Sequence, residues 1–204
     1  MGMKNLYFVR HGYALHNFLF WKIGKEAYNI RDTQLLQKGV EQATNLGYTW
    51  QEKDKIDLVV CSPSIRTLDT ALLIFKNTNH KIVALDSILE YPQGSEECNR
   101  RKDKSVLQAL YPQVDFSNIV YEELPWNYRH ESKNCLHKRI ESFIHWIKQR
   151  NEKNICVVSH SSFIGELKDG VIGDEENELK HCFPYKFSIS FDETNETNES
   201  DTFV

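Results

Sequence analysis

Three short runs of large apolar residues constrain the fold of this chain more than any other feature of its sequence. Leu6-Tyr7-Phe8-Val9, Leu58-Val59-Val60-Cys61 and Ile155-Cys156-Val157-Val158 are too short for helices and have no polar alternation. Such runs read as strands buried on both faces, which happens where helices cover a parallel sheet. Ile82 to Leu85 is a weaker run of the same kind. Lys186 to Phe191 alternates (Phe187, Ile189, Phe191), as an edge strand does.

The segments between these runs carry helical spacing. Val40, Ala43, Gly47 and Trp50 fall on one face after Gly39. Ile65, Leu68, Leu72 and Phe75 do the same, with Ser62 placed as an N-cap and Pro63 in the first turn. Leu136, Ile140, Phe143, Ile144 and Ile147 form an amphipathic stripe. Strands alternating with helices predict an α/β, three-layer sandwich, a mostly parallel central sheet flanked by helices. Residues 1–191 read as a single domain. Within it, 91–134, rich in Pro, Glu and basic residues, reads as an irregular insertion near one end of the sheet. Residues 192–204 read as an acidic, disordered tail.

Composition narrows the function classes. The 204 residues suffice for one domain with a sizeable core. The tail holds five of the 29 acids, leaving 24 against 25 basic residues in the body. That near-neutral balance, without a basic stripe, excludes a nucleic-acid binder. The five cysteines, odd in number and without a Cys-x-x-Cys, read as free thiols of a reducing compartment. With neither a signal peptide nor a membrane-length apolar run, the expectation is a cytoplasmic protein with no membrane partner. Asn195-Glu196-Thr197 and Asn198-Glu199-Ser200 then read as polar tail rather than glycosylation sites.

In open parallel sheets, ligands bind beyond the carboxyl ends of the strands. Here those ends carry Arg10-His11-Gly12, Cys61-Ser62-Pro63 leading to Arg66, and Ser159-His160-Ser161. Two imidazoles and two guanidiniums converging on one rim make an anion site, because the arginine fork matches phosphate oxygens. A histidine that stays neutral keeps a ring lone pair and can attack phosphorus. His11 is the candidate nucleophile, with Gly12 letting the backbone approach the ligand closely. Residues 161–163 after His160 read as a helix start that would add N–H donors for the anion. The leaving oxygen needs a proton; Glu90 is the first candidate, with Glu96 and Glu97 behind it.

These residues resemble the histidine phosphatase superfamily, the phosphoglycerate-mutase-like proteins. Phe8-Val9-Arg10-His11-Gly12 with Asn17 resembles the opening signature, and Leu35 to Ala43 a first-helix motif. Ser62 to Thr67 with Thr70-Ala71, and Val157 to Ser161, resemble the second-arginine and second-histidine motifs. The resemblance implies a phosphohistidine on His11, with Arg10, Arg66 and His160 holding the phosphoryl group. It further implies Glu90 as the acid, Asn17 in contact with substrate, and water hydrolysing the intermediate. The stretches Cys98 to Arg101 and Tyr111 to Phe116 are similar to a plant and fungal mutase-like branch. Leu36 stands where the family commonly has Ser or Thr, at a cost of about 1 kcal/mol in helix capping. Tyr13-Ala14-Leu15-His16 replaces the usual polar stretch after the triplet, which weakens a mutase assignment.

The expected activity is therefore a phosphomonoesterase acting on a small phosphorylated metabolite or phosphoprotein. Mutase-type phosphoryl transfer and an inactive phosphate-binding module are the alternatives, and a homodimer stays open. Ser161, Arg100 and Arg101 are candidate substrate contacts, Arg100 and Arg101 for a second anionic group; Arg129, His130 and Glu131 are comparable. No cofactor is expected. Nor is a metal, since His137 and His145 lack ligand-like spacing and no His-Glu-x-x-His occurs. Cys61 to Arg66 mimics a cysteine-phosphatase loop but lacks glycine, and Pro63 removes one cradle N–H. No Gly-x-Ser-x-Gly supports a serine hydrolase.

Overall fold

A computed structural model of the chain describes residues 2–172 and 177–191. Its strands are β1 (Lys4–Arg10), β2 (Leu58–Cys61), β3 (Ile82–Ala84), β4 (Val114–Asp115), β5 (Asn154–Ser159) and β6 (Pro184–Ile189). Its α-helices are α1 (Leu15–Ile23), α2 (Gln37–Thr49), α3 (Ile65–Ile74), α4 (Lys104–Leu110), α5 (Lys133–Lys148) and α6 (Ser161–Asp169). The strands form one sheet in the order β4-β3-β2-β5-β1-β6, parallel except for β6, which runs antiparallel to β1 along the edge.

The apolar runs are explained by the pleat, which sends alternate residues to opposite faces. Tyr7, Val9, Val59, Cys61, Cys156 and Val158 pack with Ala43 and Leu46 of α2 and Leu68, Ala71 and Ile74 of α3. Leu6, Phe8, Leu58, Val60, Ile155 and Val157 pack with Leu136, Phe143 and Ile147 of α5 and Phe163, Ile164 and Leu167 of α6. Each large side chain so buried contributes roughly 1.5–3 kcal/mol. The three-layer α/β sandwich expected from the sequence is the fold observed.

Some local features differ from expectation. α3 starts at Ile65 with Ser64 at the N-cap, not Ser62. Ser64 supplies no side-chain cap; instead Asp32 Oδ1 accepts the Ile65 N–H at 2.9 Å. Leu36 does occupy the N-cap of α2 without a side-chain cap. β6 begins at Pro184, two residues before the expected strand. The 91–134 segment is not wholly irregular, since it contains α4 and β4, and β4 extends the sheet through Ile82 and Val114. At two and seven residues these elements are too short to leave a periodic signature. α1 (LHNFLFWKI) was not predicted: it is apolar nearly all round, and Ala14 at its N-cap offers no capping oxygen. The tail, 192–204, lies outside the described residues. No described helix is long and apolar enough to cross a membrane.

Candidate active site

Parallel pairing of β1 with β5, and of β2 with β5, brings three strand ends to one rim. Arg10 ends β1 and His11 follows it; His160 follows β5 as the N-cap of α6; Arg66 lies in the first turn of α3. The rings of His11 and His160 are 5.3 Å apart, edge to face. Arg66, fully buried, joins them. Its Nε donates to His11 Nε2 (3.3 Å) and its Nη2 contacts His160 Nδ1 (3.2 Å). The same guanidinium donates to Cys98 O (2.7 Å) and Asn99 Oδ1 (3.1 Å), so all three of its nitrogens are engaged.

These contacts fix the tautomers. His11 Nδ1 lies 2.8 Å from Gly12 O, which can only accept, so Nδ1 carries the proton and Nε2 the lone pair. His160 Nδ1 faces the Arg66 donor, so its proton sits on Nε2, which donates to Ser62 Oγ at 2.8 Å. Burial first, and the Arg66 charge second, hold both rings well below the ordinary histidine range. Two more histidines complete the cluster. His16 lies 5.8 Å and His181 5.6 Å from His11, ring to ring. His181 Nδ1 donates to His11 O (2.6 Å), and burial, then Arg10, depress its pKa to about 3.

Above this floor is a cavity of about 100 Å³, roughly three waters' worth. It is lined by Arg10, His11, His16, Asn17, Tyr28, Glu90, Tyr91, Glu96, Cys98, Asn99, Ser161, Ser162 and Glu178. His11 lines it, whereas Arg66 and His160 are not among its lining residues. A larger cavity, about 560 Å³, opens between the end of α3 and the start of β3. It lies at the amino ends of the strands, with none of the converging groups.

The structure brings Arg10, His11, Asn17, Arg66, Glu90, His160 and Ser161 together, and several of these residues also make structural contacts. Gly12 is required for packing against α2. A Cβ there would stand 2.5 Å from Gly39 O, and the Gly12 N–H donates to Thr70 Oγ1 (3.0 Å). Asn17 Oδ1 accepts the Ala14 N–H (3.0 Å), and Ser161 Oγ accepts the Leu179 N–H (3.0 Å). The start of α6 does not offer free donors at Ser162 and Phe163, because the Glu90 carboxylate accepts both N–H groups along with that of Tyr91. Burial still outweighs those bonds and raises the Glu90 pKa. Glu96 also lines the cavity, and burial, then the Glu90 charge, raise its pKa to about 7. Glu97 faces Arg100 instead (3.6 Å).

Arg100 and Arg101 do not line the cavity. Arg100 pairs with Glu123 (2.5 Å) and sits over Trp126. Arg101 is fully buried, with Nε and Nη2 on the Asp86 carboxylate (2.7 and 3.1 Å). It also donates to the carbonyls of Lys102, Tyr121 and Glu122. Its charge ties loops together, and a basic pair read from sequence carries no sign of that. His130 meets Tyr91 edge to face, and Glu131 clamps Arg139 bidentately. His16, Tyr28, Asn99, Glu178 and His181 escaped the sequence reading. Only His16, five residues after His11, had a positional signal.

The histidine phosphatase superfamily (branch 1) profile matches residues 6–195. The chain belongs to this superfamily. Phosphoglycerate mutase-like protein 1 of Arabidopsis thaliana is 31% identical over 195 residues, covering 79% of this chain and 69% of that protein. Two solved structures share the fold. The α-ribazole phosphatase of Shigella flexneri has a TM-score of 0.60 at 21% identity, covering 93% of this chain and 91% of its own. A Bacillus anthracis phosphoglycerate mutase has a TM-score of 0.61 at 18% identity, covering 92% and 88%. One scaffold thus serves phosphatases and mutases, and the choice falls to the site.

Proposed function

We propose that the chain is a phosphomonoesterase working through a phosphohistidine on His11, in a reducing, cytoplasmic setting that suits its five free cysteines. The observation that carries this reading is the single guanidinium of Arg66 touching His11 Nε2 and His160 Nδ1 at once. A phosphoryl group arriving above His11 meets a neutral ring whose Nδ1 proton is fixed by Gly12 O. Arg66 turns its Nε–H from the ring to a phosphate oxygen, which frees the lone pair. Nε2 then bonds to phosphorus while the ester P–O bond breaks. The carboxylic acid of Glu90 gives its proton to the departing alkoxide. In the second half, water attacks phosphorus, the P–N bond breaks, and the Glu90 carboxylate takes the water proton. Arg10, Arg66 and His160 bear the charge on the transferring group. No step calls on a metal.

Phosphatase is favoured over mutase by the character of the rim. Among the described lining residues, Arg10 is the sole Lys or Arg; Glu178 is paired with it, and Glu90 and Glu96 line the rest of the cavity. A mutase substrate carries a second acid group and would meet carboxylates there. Substrates with one phosphoryl end and no second acid, a small metabolite or a phosphorylated side chain, fit the charge pattern.

The test is p-nitrophenyl phosphate turnover by the wild-type protein and by His11→Ala. Turnover abolished in the variant supports the reading. Equal turnover in both, or none in the wild-type protein, contradicts it.

A further inference from the structure

We propose that Glu178 is a resident anion, holding the phosphate-binding edge of Arg10 in the free protein and weakening phosphate affinity until displaced. The inference rests on the phosphate-binding reading of Arg10. Arg10 is almost wholly buried, and its two terminal nitrogens are occupied. Nη2 donates to Glu178 Oε1 at 2.6 Å and Nη1 to Leu179 O at 2.7 Å, while Nε is buried without a partner. A carboxylate and a phosphate present the same paired oxygens to a guanidinium. The Glu178 carboxylate therefore stands where a phosphate oxygen would bind, and a bound dianion beside it would be repelled.

The backbone around Glu178 makes displacement a side-chain event. The Leu179 N–H is held by Ser161 Oγ (3.0 Å) and the Lys180 N–H by Tyr185 Oη (3.0 Å). His181 Nδ1 is held by His11 O, and the Cys182 N–H by Arg10 O (2.9 Å). The strap 179–182 is thus tied to β1, α6 and β6. The Glu178 side chain is half exposed and can turn to water at little cost. Two consequences follow: phosphate entry exchanges one anion for another on Arg10, and product phosphate leaves with Glu178 ready to replace it.

Calorimetric titration of inorganic phosphate into the wild-type protein, Glu178→Gln and Glu178→Ala tests this. Thermal melts of each protein confirm folding. Phosphate should bind both variants about fivefold more tightly, the scale of a part-exposed ion pair. The KM for p-nitrophenyl phosphate should fall in parallel, with kcat changing far less. Unchanged phosphate affinity overturns the inference. Weaker binding also overturns it, making Glu178 a positioning group for Arg10. Absence of binding to the wild-type protein removes both this inference and the phosphate reading of the site. Tighter binding in the variants without turnover in any protein upholds the inference and overturns only the phosphatase reading.

Discussion

The floor and the rim of this site are built on different terms. The floor, His11, Arg66 and His160, hangs from the ends of β1 and β5 and the first turn of α3, buried beneath a packed sheet. Its contacts run between side chains brought together by strand pairing. The rim, Glu90, Glu96, Asn99 and Glu178, comes from loops, and its geometry is set by hydrogen bonds to neighbouring backbone and side chains. The floor fixes which chemistry is available. On the proposed reading, the rim sets the proton supply, the affinity and the substrate. This agrees with the comparisons, in which one fold carries both phosphatase and mutase names.

Altering the floor should cost most. Arg66→Ala should lower kcat/KM by about 10²–10³-fold, the loss seen when a preorganised transition-state donor is removed. Arg66→Lys should recover little of it, because a point ammonium cannot reach His11, His160 and Asn99 together. Near-normal steady-state kinetics for Arg66→Lys would erase the distinction between floor and rim. Arg101→Ala addresses the loop framework behind the rim. It should destabilise the fold by about 3 kcal/mol by leaving the Asp86 carboxylate and the carbonyls of Lys102, Tyr121 and Glu122 without their donor. The KM of the folded fraction, measured alongside urea unfolding, should stay unchanged; a raised KM would return Arg101 to the site.

Rim chemistry should show selectivity rather than collapse. Glu90→Gln should slow alkyl phosphates by about 10²-fold while slowing p-nitrophenyl phosphate only slightly, since a good leaving group needs no proton. Equal slowing of both would remove Glu90 from the acid role. The histidine cluster makes a smaller, pH-linked prediction. His181 is depressed to about 3 when folded, against about 6.5 for an ordinary histidine. The unfolded chain therefore binds more protons between these values, and stability falls as pH drops through that window. The slope is at most about 1.4 kcal/mol per pH unit for this group. Urea midpoints at pH 7 and pH 5 should differ less in His181→Asn than in the wild-type protein.

How far the sequence could be read follows the same division. The runs at Leu6, Leu58 and Ile155 declare doubly buried strands. Once those are parallel, Arg10-His11, Arg66 and His160 must share a rim, so the floor was legible without coordinates. Glu90 reaches the cavity although Ile88-Leu89 ahead of it lies in and after a 3-10 turn beyond β3 and not at the end of a strand. Arg101 was misread because a guanidinium buried on Asp86 looks, in sequence, like a solvent-facing one. Glu178 and His181 were invisible for a related reason: their placement depends on an edge strand returning antiparallel along β1, and nothing local signals which residues that return carries over the site. The close approach of Gly12 to Gly39 in α2 had no signal in the sequence, because it depends on how α2 packs against the loop after β1.

The covalent step on His11 is open to direct observation. A phosphomonoester that the protein turns over should be mixed with it, quenched under conditions that spare phosphoramidates, and the peptides mapped by mass spectrometry. The account predicts a phosphoryl group on the peptide carrying His11, absent after acid treatment and absent in His11→Ala. A phosphoryl group on another residue, or turnover with no adduct under conditions that trap phosphohistidine, would contradict it.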